Sequence, residues 1–144
     1  MWAAHALLEL SPSARLDAPP STATRVFPLA GPWRCGPWPA PLGTPIDTCG
    51  PPDGTAVGAI LTDCPEVTVS DGDSLTFALT AAGQPASVAY WRNLGGWPDT
   101  DPYRSIGVEP MLGRVFDLAE AGEGDAAVVP ASGVARWRLT VTAS

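Results

Sequence analysis

Glu66-Val67-Thr68-Val69-Ser70-Asp71-Gly72-Asp73-Ser74-Leu75-Thr76-Phe77-Ala78-Leu79-Thr80 decides the fold class of this chain. Two runs of strand-forming residues flank Asp71-Gly72, a dipeptide suited to the positive φ of a tight hairpin turn. Leu75, Phe77 and Leu79 recur at every second position and therefore share one face of a strand. Similar short runs lie on both sides. Residues 57–61 are apolar. Residues 87–91 form another strand candidate, broken by Gly95-Gly96-Trp97-Pro98. Residues 104–109 predict a strand that stops at Pro110, with Ile106 and Val108 on one face and Ser105, Gly107 and Glu109 on the other. Residues 126–129 read as a short strand. Residues 134–142 alternate most regularly, Ala135, Trp137, Leu139 and Val141 against Arg136, Arg138, Thr140 and Thr142, and predict a half-buried strand.

Toward the N-terminus, residues 15–18 before Pro19-Pro20 read as a strand running into a loop. Residues 2–10 are ambiguous, since Ala and Leu favour a helix but the segment is short and Ser11-Pro12 stops it, and residues 116–120 suit one helical turn. Residues 28–54 hold eight Pro and five Gly and predict a long irregular segment. Trp33 and Trp38 sit inside it, either as anchors packed on the core or as an aromatic face offered to a ligand. Short strands divided by turns predict an all-β, antiparallel β-sandwich or barrel in one domain over residues 1–144.

The chain has 144 residues, of which 45% are hydrophobic and 16% charged, so it can build a core and is not compositionally disordered. Its 17 Pro and 15 Gly argue against a helical bundle. Eight basic residues, all Arg, face fifteen acidic ones for a net charge of −7. The acids are spread evenly, so no basic stripe exists to neutralise phosphates, and neither a nucleic acid nor an anionic membrane surface is expected as a partner. No apolar run approaches the length of a membrane span. The apolar start lacks a basic flank and does not read as a signal peptide. Cys35, Cys49 and Cys64 are odd in number and form no C-x-x-C pair, which argues against a disulfide framework or a zinc site and fits a reducing, cytoplasmic setting.

Chemistry-bearing residues are few. No G-x-S-x-G exists, His5 is the one histidine, and Gly122-Glu123-Gly124-Asp125 is no phosphate cradle. No metal or cofactor is expected. Glu109 stands out, because strand interiors disfavour Glu and its face-mate Gly107 leaves room above the backbone. It reads either as a solvent-facing carboxylate or as a general base whose pKa is raised in a partly desolvated cleft. His5 reads either as a packed, hydrogen-bonded residue or as a general acid. Arg92 and Arg104 flank the Trp97 segment. They suit surface charges or bidentate contacts to a polar ligand.

Taken together, Ile106-Gly107-Val108-Glu109-Pro110-Met111, the preceding Tyr90-Trp91-Arg92 and the later Trp137-Arg138-Leu139 resemble the C-terminal part of the aldose 1-epimerase (galactose mutarotase-like) family. The segment from Trp2 to Leu10, with Ser11-Pro12, Arg15 and Ala18-Pro19 after it, resembles that family's mid-chain strand with its histidine. The resemblance implies a β super-sandwich with a sugar cleft, lacking the family's N-terminal half. It implies Glu109 as the base and His5 as the acid in anomer exchange of a hexose, with Trp91, Arg92, Trp97 and Arg104 around the sugar and no cofactor. It also implies self-association, or a partner chain that completes the sandwich. A non-catalytic carbohydrate-binding β-sandwich, or an inactive fragment of a mutarotase, is the alternative.

Overall fold

The computed structural model describes residues 1–29 and 31–144. The strands, in chain order, are β1 (Trp2–Ala3), β2 (Ala6–Leu8), β3 (Arg15–Asp17), β4 (Ala23–Pro28), β5 (Arg34–Pro37), β6 (Ala56–Leu61), β7 (Glu66–Asp71), β8 (Asp73–Thr80), β9 (Ala86–Leu94), β10 (Arg104–Leu112) and β11 (Arg138–Ala143). Among the described residues they form two antiparallel sheets. The seven-stranded sheet runs β1-β10-β9-β6-β4-β5, with β2 also paired to β10, and the four-stranded sheet runs β11-β8-β7-β3. The chain is therefore an all-β antiparallel sandwich.

Alternation sorts the side chains between the layers. Val88 and Tyr90 of β9 and Ile106 and Val108 of β10 point inward, where they meet Leu16, Val67, Val69 and Phe77 of the smaller sheet. All eight are buried. The Asp71-Gly72 hairpin joins β7 to β8 as its sequence predicts, with Gly72 at φ 84°. The opposite face of the large sheet carries a smaller cluster of Ile60, Ala89 and Met111 with Phe27 against it. Elsewhere that outer face is only partly covered, by Phe116 over Gly58 and by the turn over Asn93.

Several elements depart from their sequence pattern. Strand β10 does not stop at Pro110 but runs on to Leu112. The carbonyl of Pro110 accepts a bond from the Ala4 N–H at 2.9 Å, yet proline has no N–H to return. One ladder bond is lost at Ala4, and β1 and β2 are separate strands on either side of it. Strand β9 continues through Arg92 and Asn93 to Leu94 because β6 and β10 flank it along its length. The Pro-rich segment is not wholly irregular, since β5 forms a hairpin with β4 inside it. Trp38 is buried edge-on against Tyr90, whereas Trp33 stays exposed.

The expected strand over residues 126–129 reduces to one bridge between Gly113 and Ala126. The helical turn is a 3-10 turn at Leu118–Glu120, capped by Asp117. The strand expected at 134–142 begins only at Arg138, opposite Thr80, where its partner β8 ends. Residues 134–137 lie past that end and have no strand to pair with. Nor is it half-buried throughout: β11 lies at the rim of its sheet and leaves Val141 exposed, and Trp137 just before it is exposed too. Cys35, Cys49 and Cys64 are free thiols. No helix among the described residues is long and apolar enough to cross a membrane.

Candidate functional site

Across the gap between β1 and β2, one register continues. Ala3 faces Met111, and Ala6 faces Val108. The same register sets His5 directly opposite Glu109. Their side chains meet on the open face of the large sheet, with Nε2 of His5 3.2 Å from Oε1 of Glu109. The carboxylate is 13% exposed and the imidazole 63%. Glu109 is therefore held in the floor, while the histidine ring borders solvent. Burial pushes the Glu109 carboxyl above the ordinary glutamate value, and the neighbouring His5 charge pulls back part of that rise.

The pair lies in a cleft of about 370 Å³. Gly107 forms part of its floor. A Cβ there would stand 2.8 Å from Glu109 Oε1 and 3.1 Å from Trp91 Cβ, so the bare glycine lets the carboxylate lean back along its own strand. Leu7 and Phe116 border the cleft. Its tallest wall is aromatic: Trp91 packs edge-on against Trp97 at 6.1 Å, and Trp97 packs against Tyr103 at 6.2 Å. Trp91 Nε1 donates to Ser105 Oγ at 3.1 Å, which fixes the indole.

Asn93 holds the outer part of this wall. It is fully buried on the open face, beneath the turn that follows β9. Its Oδ1 accepts from the N–H groups of Gly95, Gly96 and Trp97 at 3.2, 3.0 and 3.1 Å, and its Nδ2 donates to the Trp97 carbonyl at 2.7 Å. Every polar atom of the side chain is engaged, and the turn can present Trp97 in one way.

No family model, curated protein or solved structure matches this chain.

Of the residues singled out in the sequence, the structure brings Glu109, His5, Trp91 and Trp97 together. It does not bring Arg92 or Arg104 to them. Both share the inward face of Ile106 and Val108, since Arg92 is the cross-strand partner of Ile106 and Arg104 precedes Ile106 by two. Arg92 Nε donates to the Thr48 carbonyl at 3.0 Å. Arg104 bonds the carbonyls of Leu10, Gly50 and Ser11 at 2.7, 3.1 and 3.3 Å, tying the loop after β2 to the Pro-rich segment. Arg104→Leu is expected to cost about 2 kcal/mol of stability by orphaning these carbonyls. The readout is a lower urea midpoint at unchanged slope. A wild-type midpoint would instead free Arg104 for a ligand.

Tyr103, Ser105, Asn93 and Phe116 were not singled out. For Ser105 the signal was present, because it alternates onto the face of Glu109. For Asn93 it lay in the Asn-x-Gly-Gly spacing at the end of a strand. Phe116 reaches the cleft from a distant loop and carries no local signal.

Proposed function

We propose that this chain is an aldose 1-epimerase-like isomerase that interconverts the anomers of a hexose by opening and reclosing its ring. The contact of His5 with Glu109 in the floor of an aromatic-walled cleft carries this reading. The resemblance of the Glu109 and His5 segments to the galactose mutarotase-like family supports it. A carboxylate with a raised pKa is a stronger base than an ordinary one. A sugar that enters the cleft would separate the pair and place its anomeric hydroxyl at Glu109 and its ring oxygen at His5.

Glu109 then takes the proton of the anomeric hydroxyl, and protonated His5 gives one to the ring oxygen. The bond between C1 and the ring oxygen breaks, its electron pair goes to that oxygen, and C1 becomes an aldehyde. Rotation about C1–C2 turns the aldehyde over. Reclosure returns both protons and yields the other anomer. The two side chains exchange one proton each, so the site is regenerated without a cofactor. The ring's apolar C–H face would rest on Trp91 and Trp97. A second reading, sugar binding without chemistry, is favoured by the exposed wall of Trp97 and Tyr103, which needs no proton transfer to act.

Proton NMR of freshly dissolved α-D-glucose and α-D-galactose, with and without the protein, tests the proposal. Exchange faster than in buffer supports it. Binding without excess exchange selects the second reading, and neither effect overturns both. Gly107→Ala gives a further check. Its methyl would drive the Glu109 carboxylate aside, because the flexible end of that side chain yields before the backbone does. Exchange is expected to fall about 10²-fold, the size expected for a displacement of this kind, with at most a small drop in the urea midpoint from the 3.1 Å approach to Trp91 Cβ. An unchanged rate would mean that the carboxylate's position does not matter.

A further inference from the structure

Beyond the cleft, the open face of the large sheet carries a continuous row of aromatic rings. Gly107, Trp91, Gly58 and Phe27 are successive cross-strand partners in β10, β9, β6 and β4. The register of β4 with β5, carried one step past Arg34, sets Trp33 beside Phe27. Gly58 leaves its place vacant, and the ring of Phe116 lies over it, 3.4 Å from where a Cβ would stand. Phe116 is in turn 4.7 Å from Phe27, and Phe27 is 6.2 Å from Trp33. Trp97, Tyr103, Phe116 and Trp33 are 45%, 50%, 42% and 45% exposed. Four strand spacings of roughly 4.8 Å separate Gly107 from Trp33, about 19 Å in all, much longer than one sugar ring.

We propose that the site is extended: a chain of neutral sugars lies across the strands, with one ring over Glu109 and His5 and further rings along Phe116, Phe27 and Trp33. This rests on reading the cleft as a sugar site. The row is made of aromatic rings, which suit the C–H faces of sugars. Among the exposed aliphatic residues, Leu7 pairs with Gly107 at the cleft end of the row, while Val141 lies on β11 of the other sheet. Among the described residues of the row itself none is Lys or Arg, so an anionic polymer finds no cation within it. Arg25 at its end is already committed to Asp125, to the Arg114 carbonyl and to the Trp33 ring. A net charge of −7 opposes pairing of two copies through this face.

Titration calorimetry with cello-oligosaccharides and malto-oligosaccharides of one to five units tests this. The expected result is an affinity that rises at least tenfold from one to four units in one series. Trp33→Ala should return the longer oligomers to the affinity of the monosaccharide, while Trp137→Ala, an exposed indole off the row, should leave the rise intact. Affinity independent of length, or a rise that survives Trp33→Ala, overturns the extended site. So does a dimer in sedimentation that Trp33→Ala dissolves without any effect on sugar binding. Length-dependent binding without anomer exchange would sustain the extended site and sink the isomerase. Exchange with flat affinity would do the reverse.

Discussion

Glu109→Gln is expected to bring anomer exchange down to the buffer rate, a loss on the order of 10²–10⁴ for removal of a general base. Gln keeps the shape of the side chain and can still hydrogen-bond a hydroxyl, but it cannot take the proton. Binding of the sugar should therefore survive while exchange disappears. The pH profile of the wild type gives a second readout. The base must be ionised, so exchange falls as pH drops through the Glu109 pKa, which burial raises. The acid limb is expected above the ordinary glutamate value, and it should be absent from any residual rate of the variant.

The same shift fixes the sign of the stability effect. A carboxyl whose pKa is raised by folding favours the folded state at low pH and loses that contribution as pH rises through the folded pKa. Charged Glu109 is thus a small burden on the fold near neutrality, and Glu109→Gln should unfold at an equal or higher urea midpoint there. A variant that is both inactive and clearly less stable would point to a structural role instead. His5→Asn should also lower exchange strongly, because the ring oxygen then leaves as an unassisted anion.

Asn93→Leu is expected to have the largest effect on stability, at least about 3 kcal/mol. Three backbone N–H groups and one carbonyl lose their partner at a fully buried position, and each orphaned group costs about 1–3 kcal/mol unless water reaches it. Against a total of about 5–15 kcal/mol this is a large fraction, and the urea midpoint should fall accordingly. Asn93→Asp separates the two halves of the network. It keeps an acceptor for the N–H groups of Gly95, Gly96 and Trp97, but sets a carboxylate oxygen against the Trp97 carbonyl. Its loss should lie between those of wild type and Leu. Both variants should change the tryptophan emission of the folded protein, since the Trp97 turn loses its clamp. A Leu variant with wild-type midpoint and emission would show that the turn holds itself.

Much of the fold was legible because strand patterns are local. The positive φ at Gly72 and the every-second-residue spacing of Leu75, Phe77 and Leu79 are properties of neighbouring residues, and they mark the hairpin of the smaller sheet. The same spacing sorted Glu109 from Ile106 and Val108. Applied one step further, it would have removed Arg104 from the side of Glu109, since Arg104 is two residues before Ile106 and shares its face. The alternation of residues 134–142 misled for a related reason. A pattern tells which way side chains point, not whether a second strand is there to pair with them. Residues 134–137 run past the end of β8, and their periodicity has nothing to act on.

The amino-acid order alone determined the class of the fold, the two faces of each long strand and the few residues able to move a proton. Pairing and register between distant segments decided the rest. His5 meets Glu109 because β2 and β1 lie in one register along β10, with a gap where Pro110 has no N–H to give. Trp38 became core and Trp33 surface because the β4–β5 hairpin carries one inward and leaves the other on the open face. Arg92 and Arg104 became structural because loop carbonyls came within reach of them. Each of these outcomes depends on which remote backbone lies alongside, and that is chosen by burial of the whole core rather than by any local pattern.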